Sequence, residues 1–532
     1  MSIQVRQIKG DLVELIFDPR EEDLHVGENL SIKEKGNGRG LIVQVIEFRT
    51  VTYPSLIQEQ LRLALEGSQP LPPSLFEFYQ HRLSEMGNLK IAITKIRKLA
   101  VSHLRTANNQ QPIADWDQWD GWIPTRDVTV RKASDEEVFA NCLASASGCG
   151  HPLYLGKTLS GEDFFIEGQN LEKVNIITGM KGAGKSHLAK VILLQLIAHG
   201  APCIVFDINK EYIHLPPHRI DPLTGEVRGR GIIHLEAGGN FKLGVRQFGL
   251  GPLLTMLARY GLPEVSRLHF ENRLAQLFRE MSEWEARGRR PPFIGIEQLI
   301  QMAEEGEFTG GYGTDVVNGA IRNRLQALRN TGIFARSPEE AVSLHDRYQE
   351  IRGGGALIID IANLGNLARG GLVQAIIEVV KDICEEEIER GTHRFPFLFF
   401  EEAHLYVSRG SIDYLVTRAR HLGVTSFFVT NMITGLDEAV LRQADNLFLL
   451  YLPFEDDVRH VSKSAITDYE TIASFAKRLR RFHALVIGNV TNRYPLIVRV
   501  DRLAGVNTAG ETRFFFKVGG VKQMPLPLGA RG

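Results

Sequence analysis

This 532-residue sequence has little of what would confine it to a specialised class. It has four cysteines, Cys142, Cys149, Cys203 and Cys384, too few and too far apart for a disulfide framework and without zinc-ligand spacing. A reducing cytoplasm is therefore the expected compartment. It has no excess charge: 62 Lys and Arg against 63 Asp and Glu leave a net charge of -1, so no global field draws the chain to a polyanion or an acidic membrane surface. Any polyanion has to be gripped by a local patch. It has no long apolar run, because Gln195, His199 and Gly200 interrupt the most apolar segment, and acids break up the apolar start "MSIQVRQIKGDLVELIF". Neither a membrane span nor a signal peptide is expected. Short-period repeats and extended low-complexity segments are also missing. What remains is 43% hydrophobic and 23% charged, the balance of a globular protein with a large core.

Two patterns divide the chain. Residues 1–135 carry short strand-like runs, "IQVRQI", "LVELIF" and "GLIVQVIEF", separated by turn residues, which predict a small β-barrel or sandwich. Helical spacing in "PSLIQEQLRLALEG" and "PPSLFEFYQHRLSEM" predicts a helical insert within it. Residues 136–505 alternate apolar strands with helices: "VNIITG", "PCIVFDI", "GALIIDI", "PFLFFEE", "TSFFVT", "NLFLLYL", "HALVIG" and "LIVRV". Strands that are apolar at every position belong to a sheet covered on both faces, so the expected class is α/β. A helical insertion is expected at about 245–350, and residues 506–532 read as a tail.

Gly179-Met180-Lys181-Gly182-Ala183-Gly184-Lys185-Ser186 matches G-x-x-x-x-G-K-[ST]. Glycines let backbone N–H groups wrap phosphates, and the next helix turns its positive end toward them. Lys185 is placed to reach the β- and γ-phosphates of ATP, and Ser186 to hold Mg²⁺. The flanks agree: the strand "VNIITG" leads in, and a buried helix beginning with His187 leads out. The nucleotide site is thus expected along Gly179, Lys181, Gly182, Ala183, Gly184, Lys185, Ser186 and His187. A second, acidic strand is also needed, and "FPFLFFEEAH" supplies Glu401, beside the metal, and Glu402, as general base for the attacking water. Asp207 and Glu211 end the strand "PCIVFDI", at the rim where open α/β sheets bind ligands.

The segment "EEAH" resembles the DEAH helicases, but no companion motifs accompany it; "LSGED" resembles the signature of transporter-type ATPases, but stands before the P-loop instead of after it. Nearly the whole chain resembles the HerA family, within the HerA/FtsK group of hexameric DNA-pumping ATPases. "GRGLIVQVIEF" is similar to its barrel signature, "GHPLYLGKTL" to the opening of its core, "VFDINKEY" to its D-x-x-x-E-Y segment, and "TRARHLGVTSFFVTN" to the stretch in which a basic pair precedes Gly-Val and a strand. The resemblance implies an N-terminal HAS-barrel-like domain and a RecA-like P-loop core with a helical insertion. It makes Arg420, with Arg418, a candidate for stabilising the γ-phosphate in the transition state. Three positions depart from the pattern: Glu401 stands for the usual Asp, Asn431 for a polar sensor glutamine, and Lys173 for an arginine. A lysine lacks the bidentate fork, so the intersubunit finger stays open between Lys173 and the arginine pair.

The resemblance further implies a homohexamer with DNA in its central pore. Six copies of a modest charge reconcile a near-neutral chain with a polyanion. Arg219, Arg228 and Arg230 in "HRIDPLTGEVRGRG", Arg369 in "NLGNLARGG" and Arg409 in "YVSRGS" are the candidate DNA contacts, each expected on a loop. A NurA-like nuclease, or a sirtuin-like or nuclease effector of antiphage defence, is the implied partner at the barrel end. A ring that uses ATP only to assemble an effector, without moving DNA, is the competing reading.

Overall fold

The computed structural model describes residues 3–502 except 37–38, 51–88, 101–115, 118, 126, 136, 139–149, 172, 214, 216–217, 221–226, 310–314, 408–421 and 465. The helical insert expected between residues 54 and 86 lies outside the described residues.

Seven N-terminal strands, β1 (Gln4–Lys9), β2 (Leu12–Phe17), β3 (Asn29–Glu34), β4 (Gly40–Thr50), β5 (Lys90–Ala100), β6 (Trp116–Asp117) and β7 (Val128–Lys132), form one antiparallel sheet. Its order is β1-β2-β5-β4-β3-β7, with β6 beside β5. The expected closed barrel is corrected here: β1 and β7 are not paired among the described residues, so the sheet is a half-barrel. Its outer strands carry Arg6, Lys9, Arg131 and Lys132 and are mostly exposed, which suits edges. The inner strands bury Val13, Leu15, Leu30, Ile32, Leu41, Val43 and Val45 in a core of their own.

The large sheet is built from β8 (Pro152–Thr158), β9 (Asp163–Glu167), β10 (Val174–Thr178), β11 (Pro202–Asp207), β14 (Ile232–Glu236), β15 (Gly355–Asp360), β16 (Phe397–Glu401), β17 (Thr425–Thr430), β18 (Asn446–Leu449), β19 (His483–Gly488) and β20 (Leu496–Val500). Its order is β14-β15-β11-β16-β17-β10-β18-β19-β20-β8-β9. Each neighbouring pair from β14 to β18 in that order is parallel, and each pair from β18 to β9 is antiparallel. β10, β11, β15 and β17 are buried at every residue, their apolar centres and also the polar residues nearer their ends, such as Asn175, Asp207, Asp360 and Ser426. Between β11 and β14 the chain forms a two-stranded ribbon, β12 (His218–Ile220) with β13 (Val227–Arg230).

Helix α1 (Lys185–Ala198) follows β10 and is buried nearly all round, including Leu188, Val191, Ile192, Leu193, Leu196 and Ile197. Six helices, α2 (Val245–Phe248), α3 (Leu250–Arg259), α4 (Glu264–Ala286), α5 (Ile296–Glu304), α6 (Asp315–Arg329) and α7 (Leu344–Ile351), fill the connection from β14 to β15. Then α8 (Asn366–Glu389) returns to β16, and α9 (Glu438–Arg442), α10 (Glu455–Val461) and α11 (Tyr469–Ala476) frame the far end. No helix among the described residues is long and apolar enough to cross a membrane. The half-barrel docks on α11 through Lys95, whose Nζ lies 3.1 Å from Asp11, 3.0 Å from Asp468 and 2.8 Å from Glu470. Arg97, half-buried beside it, bonds Gln44 Oε1 at 3.1 Å and Thr471 Oγ1 at 2.9 Å.

Candidate functional site

The loop between β10 and α1 owes its shape to glycines that cannot be exchanged. Gly179 has φ 152° and a Cβ there would lie 2.8 Å from Leu450 Cβ; Gly184 has φ 116° and its Cβ would lie 2.8 Å from Phe482 Cδ1. Backbone bonds fix the loop at both sides, Met180 N–H to Tyr451 O at 2.7 Å and Phe482 N–H to Ala183 O at 2.9 Å. Lys185 is buried and donates to Met180 O at 3.2 Å across the loop. Burial lowers its pKa, opposed by the carboxylates of Glu402, Glu401 and Glu211. Lys181 and Gly182 are exposed and Ala183 is buried at the loop's base.

The acid of β16 meets the hydroxyl of α1 directly. Ser186 Oγ donates to Glu401 Oε1 at 2.8 Å, and Tyr212 Oη donates to Glu401 Oε2 at 2.9 Å. Glu401 is fully enclosed, and burial, with the nearby Glu211 charge, pushes its carboxyl up to about 8. An interposed strand makes this meeting possible: β17 lies between β10 and β16, so the acid approaches from two strands away. Stacked rings hold the three strands β11, β16 and β17 in step, Phe206 on Phe400 and Phe400 on Phe428 at 5.1 Å, and Phe399 on Phe427 at 4.4 Å. A serine hydroxyl and a carboxylate side by side are oxygen donors of the kind Mg²⁺ takes, so the residues fit that ion.

Glu402, the next residue, leaves the strand in a left-handed turn at φ 48° and ψ 48°. The turn separates the two carboxylates. Asn431 Nδ2 donates to Glu402 Oε1 at 3.0 Å and Asn431 N–H to Oε2 at 3.3 Å, while His404 Nδ1 stands 3.5 Å from Oε2. His404 also meets Thr430 Oγ1 at 2.9 Å, and burial lowers its pKa. The arrangement can hold a water beside a carboxylate that has no role in binding metal.

Several residues stand differently from their expected places. Asp207 spends its carboxylate on the turn after β11, accepting from the N–H groups of Asn209, Glu211 and Tyr212 at 3.1, 3.0 and 2.8 Å. Glu211 lies 3.7 Å from Lys190 Nζ. His187 turns its ring away, with Nε2 2.9 Å from Asp501 O. Lys173 sits in a left-handed conformation at φ 78° just before β10, its carbonyl accepting from Ser426 N–H at 2.6 Å. Arg219, Arg228 and Arg230 lie on the β12–β13 ribbon, not on a loop, with His218 paired to Arg230. Arg409, Arg418 and Arg420 fall outside the described residues.

Arg369 is the clearest correction. It lies in the first turn of α8, 8% exposed, and its guanidinium donates to Ile361 O at 3.3 Å, Leu364 O at 2.8 Å and Asn366 Oδ1 at 3.0 Å. Such an arginine ties its own loop together and offers nothing to DNA. Arg369→Met is expected to cost about 2–3 kcal/mol by leaving buried carbonyls unpaired, read as a fall in denaturant midpoint with any DNA response of the folded fraction unchanged.

Lys190 has no counterpart among the sequence-based expectations, and Tyr212 enters them only as the end of "VFDINKEY". Lys190 is completely buried in α1, 5.3 Å over the Tyr212 ring. A lysine in an otherwise apolar helix, five residues past the P-loop lysine, was the available signal.

A phosphate-wrapping loop whose serine is bonded to the acid of a strand two places away defines a P-loop ATPase, and this protein is one. Residues 153–380 match the family model of the HerA helicase central domain. The chain is 22% identical over 403 residues to a DNA double-strand break repair helicase HerA of Sulfolobus acidocaldarius, covering 72% of this chain and 74% of that one. It is 23% identical to a probable helicase of Methanocaldococcus jannaschii, covering 72% of each. Most of the chain is thus similar to members of the HerA family. Among solved structures, VirB4 of Thermoanaerobacter pseudethanolicus is similar with a TM-score of 0.48 and 15% identity, over 67% of this chain and 98% of that one.

Proposed function

We propose that this ATPase is a DNA translocase, a homohexameric ring that hydrolyses ATP at its subunit interfaces and draws duplex DNA through its pore. The observation that carries the reading is Glu402, a carboxylate turned out of the acidic strand and tethered by both nitrogens of Asn431. The names of the relatives, DNA double-strand break repair helicase and probable helicase, supply the track.

In this mechanism the loop N–H groups and Lys185 neutralise the triphosphate, and Glu402 orients the attacking water and takes its proton. Mg²⁺, held by Ser186 and Glu401 when bound, supplies Lewis-acid charge neutralisation at the phosphates. Asn431 reports the state of Glu402 to the end of β17, since it bonds the carboxylate through both side chain and backbone. Arg420 and Arg418, or Lys173 from a neighbouring subunit, supply the remaining positive charge. The ribbon carrying Arg219, Arg228 and Arg230, together with Arg409, contacts DNA phosphates. The half-barrel face docks a NurA-like nuclease or an antiphage effector.

Steady-state hydrolysis with and without linear duplex DNA tests the reading, with Lys185→Ala as the inactive reference. Hydrolysis is expected to rise several-fold with DNA and the stimulation to fade as salt increases. A rate indifferent to DNA at every salt concentration would leave the effector-assembling ring as the better account.

A further inference from the structure

Glu401 and Glu402 mark where the terminal phosphate end of a nucleotide must lie, and the sheet then shows where its other end goes. The acids stand at the end of β16, on the β17 side of the P-loop strand. On the opposite side of β10 come β18, β19 and β20. β18 runs parallel to β10, β19 returns antiparallel and β20 reverses again, so the start of β19 and the end of β20 share the rim of the P-loop. A nucleotide whose γ-phosphate faces the acids therefore directs its nucleoside across Gly184 toward these two chain segments.

The residue waiting there is Phe482, just before β19. Its φ is 62°, a left-handed conformation that a bulky side chain rarely adopts and that marks a site held in place by its surroundings. The backbone is clamped on both sides: its N–H donates to Ala183 O at 2.9 Å and its carbonyl accepts from Val500 N–H at 2.8 Å. The ring closes against Gly184, where a Cβ would come within 2.8 Å of it, and meets His187 edge-on at 5.6 Å. Two exposed arginines converge on the same ring, Arg481 at 5.0 Å and Arg502 at 4.5 Å from its centroid. The His187 ring fixes the second of these segments by its contact with Asp501 O at 2.9 Å.

We infer that the Arg481–Phe482–Arg502 stack is the shelf on which the nucleobase of the bound nucleotide rests, an inference that rests on the ATPase assignment. A guanidinium laid on a ring keeps its second planar face for another π system, and a purine offers the widest partner. The triphosphate is gripped by the P-loop, and the base by this shelf. The two grips are chemically separable.

That separation sets the test: dissociation constants of ATP and of inorganic tripolyphosphate, each with Mg²⁺, for the full-length chain and for Arg502→Ala, Arg481→Ala and Phe482→Leu. The arginines are exposed, so their variants keep the fold if Phe482→Leu does not. Each arginine variant is expected to weaken ATP by about tenfold while changing tripolyphosphate by less than about twofold. Parallel loss of both ligands, or no loss of either, overturns the shelf, as does a wild-type protein that binds tripolyphosphate as tightly as ATP. In that last case the phosphate site stands without a base site. A wild-type protein that binds neither ligand would instead remove the ATPase assignment and the shelf with it.

Discussion

Glu402→Gln is expected to bind ATP as the wild type does and to hydrolyse it about a thousandfold more slowly, within the range for loss of a general base. The side chain is held by Asn431, at 3.0 and 3.3 Å, and stands 3.5 Å from His404, not on the P-loop lysine or Ser186. Nucleotide grip therefore resides elsewhere, in the loop, Lys185 and the Ser186–Glu401 pair. Glutamine keeps the length and the left-handed turn at this position but cannot take the proton of the attacking water. It also accepts through only one atom, so one of the two Asn431 bonds is lost, and that loss reaches β17 without touching the phosphates. Equilibrium binding of a fluorescent ATP analogue and single-turnover hydrolysis separate the two effects. A fall in rate of less than about tenfold would mean that another group activates the water.

The parts of this site that could be read in the sequence are those carried by local chemistry. A P-loop is a string of consecutive residues, each needed for its own reason, and the apolar strands ending in acid announce themselves because a sheet covered on both faces admits nothing polar until its rim. The order of the strands is a different matter. Parallel strands with the same all-apolar pattern are interchangeable in one dimension, so nothing in "TSFFVT" says that it lies between β10 and β16, although this placement is what brings Glu401 to Ser186. The barrel expectation failed on the same ground: short apolar-polar runs such as "IQVRQI" reveal a strand, not which strand it will pair with. Arg369 misled because "NLARGG" looks like a glycine-bearing loop. Those glycines are instead in a helix, where Gly370 and Gly371 let Arg259 and Met256 pack close against α8. Charge in a sequence shows what a side chain has to offer, but not which buried carbonyls will claim it.

Glu401→Gln is expected to make the metal-free protein more stable than wild type, by an amount that grows from pH 5 to pH 9. The unfolded carboxyl loses its proton near 4.3, whereas in the folded chain burial and the neighbouring Glu211 push that loss up to about 8. Across the interval the native state holds a proton that the unfolded state has released, so wild-type stability falls as pH rises and the full cost is present above the folded value. Ser186 and Tyr212 both donate to the carboxylate and soften that cost without cancelling it. Glutamine is neutral throughout, and its stability has no such slope. The Tm difference between variant and wild type is expected to widen by about 1–2 °C between pH 5 and pH 9, on the scale of 1–2 kcal/mol for a chain this large. With Mg²⁺ and ATP the order reverses, because the ion supplies the positive charge that the buried carboxylate lacks and stabilises wild type alone. Hydrolysis is lost in the variant for the same reason. Thermal unfolding at several pH values, with and without Mg²⁺ and ATP, checks both halves. A Tm difference that does not move with pH would mean that Glu401 is already ionised in the free protein, with a cation from the chain itself, Lys190 or Lys185, doing what the metal is assigned to do.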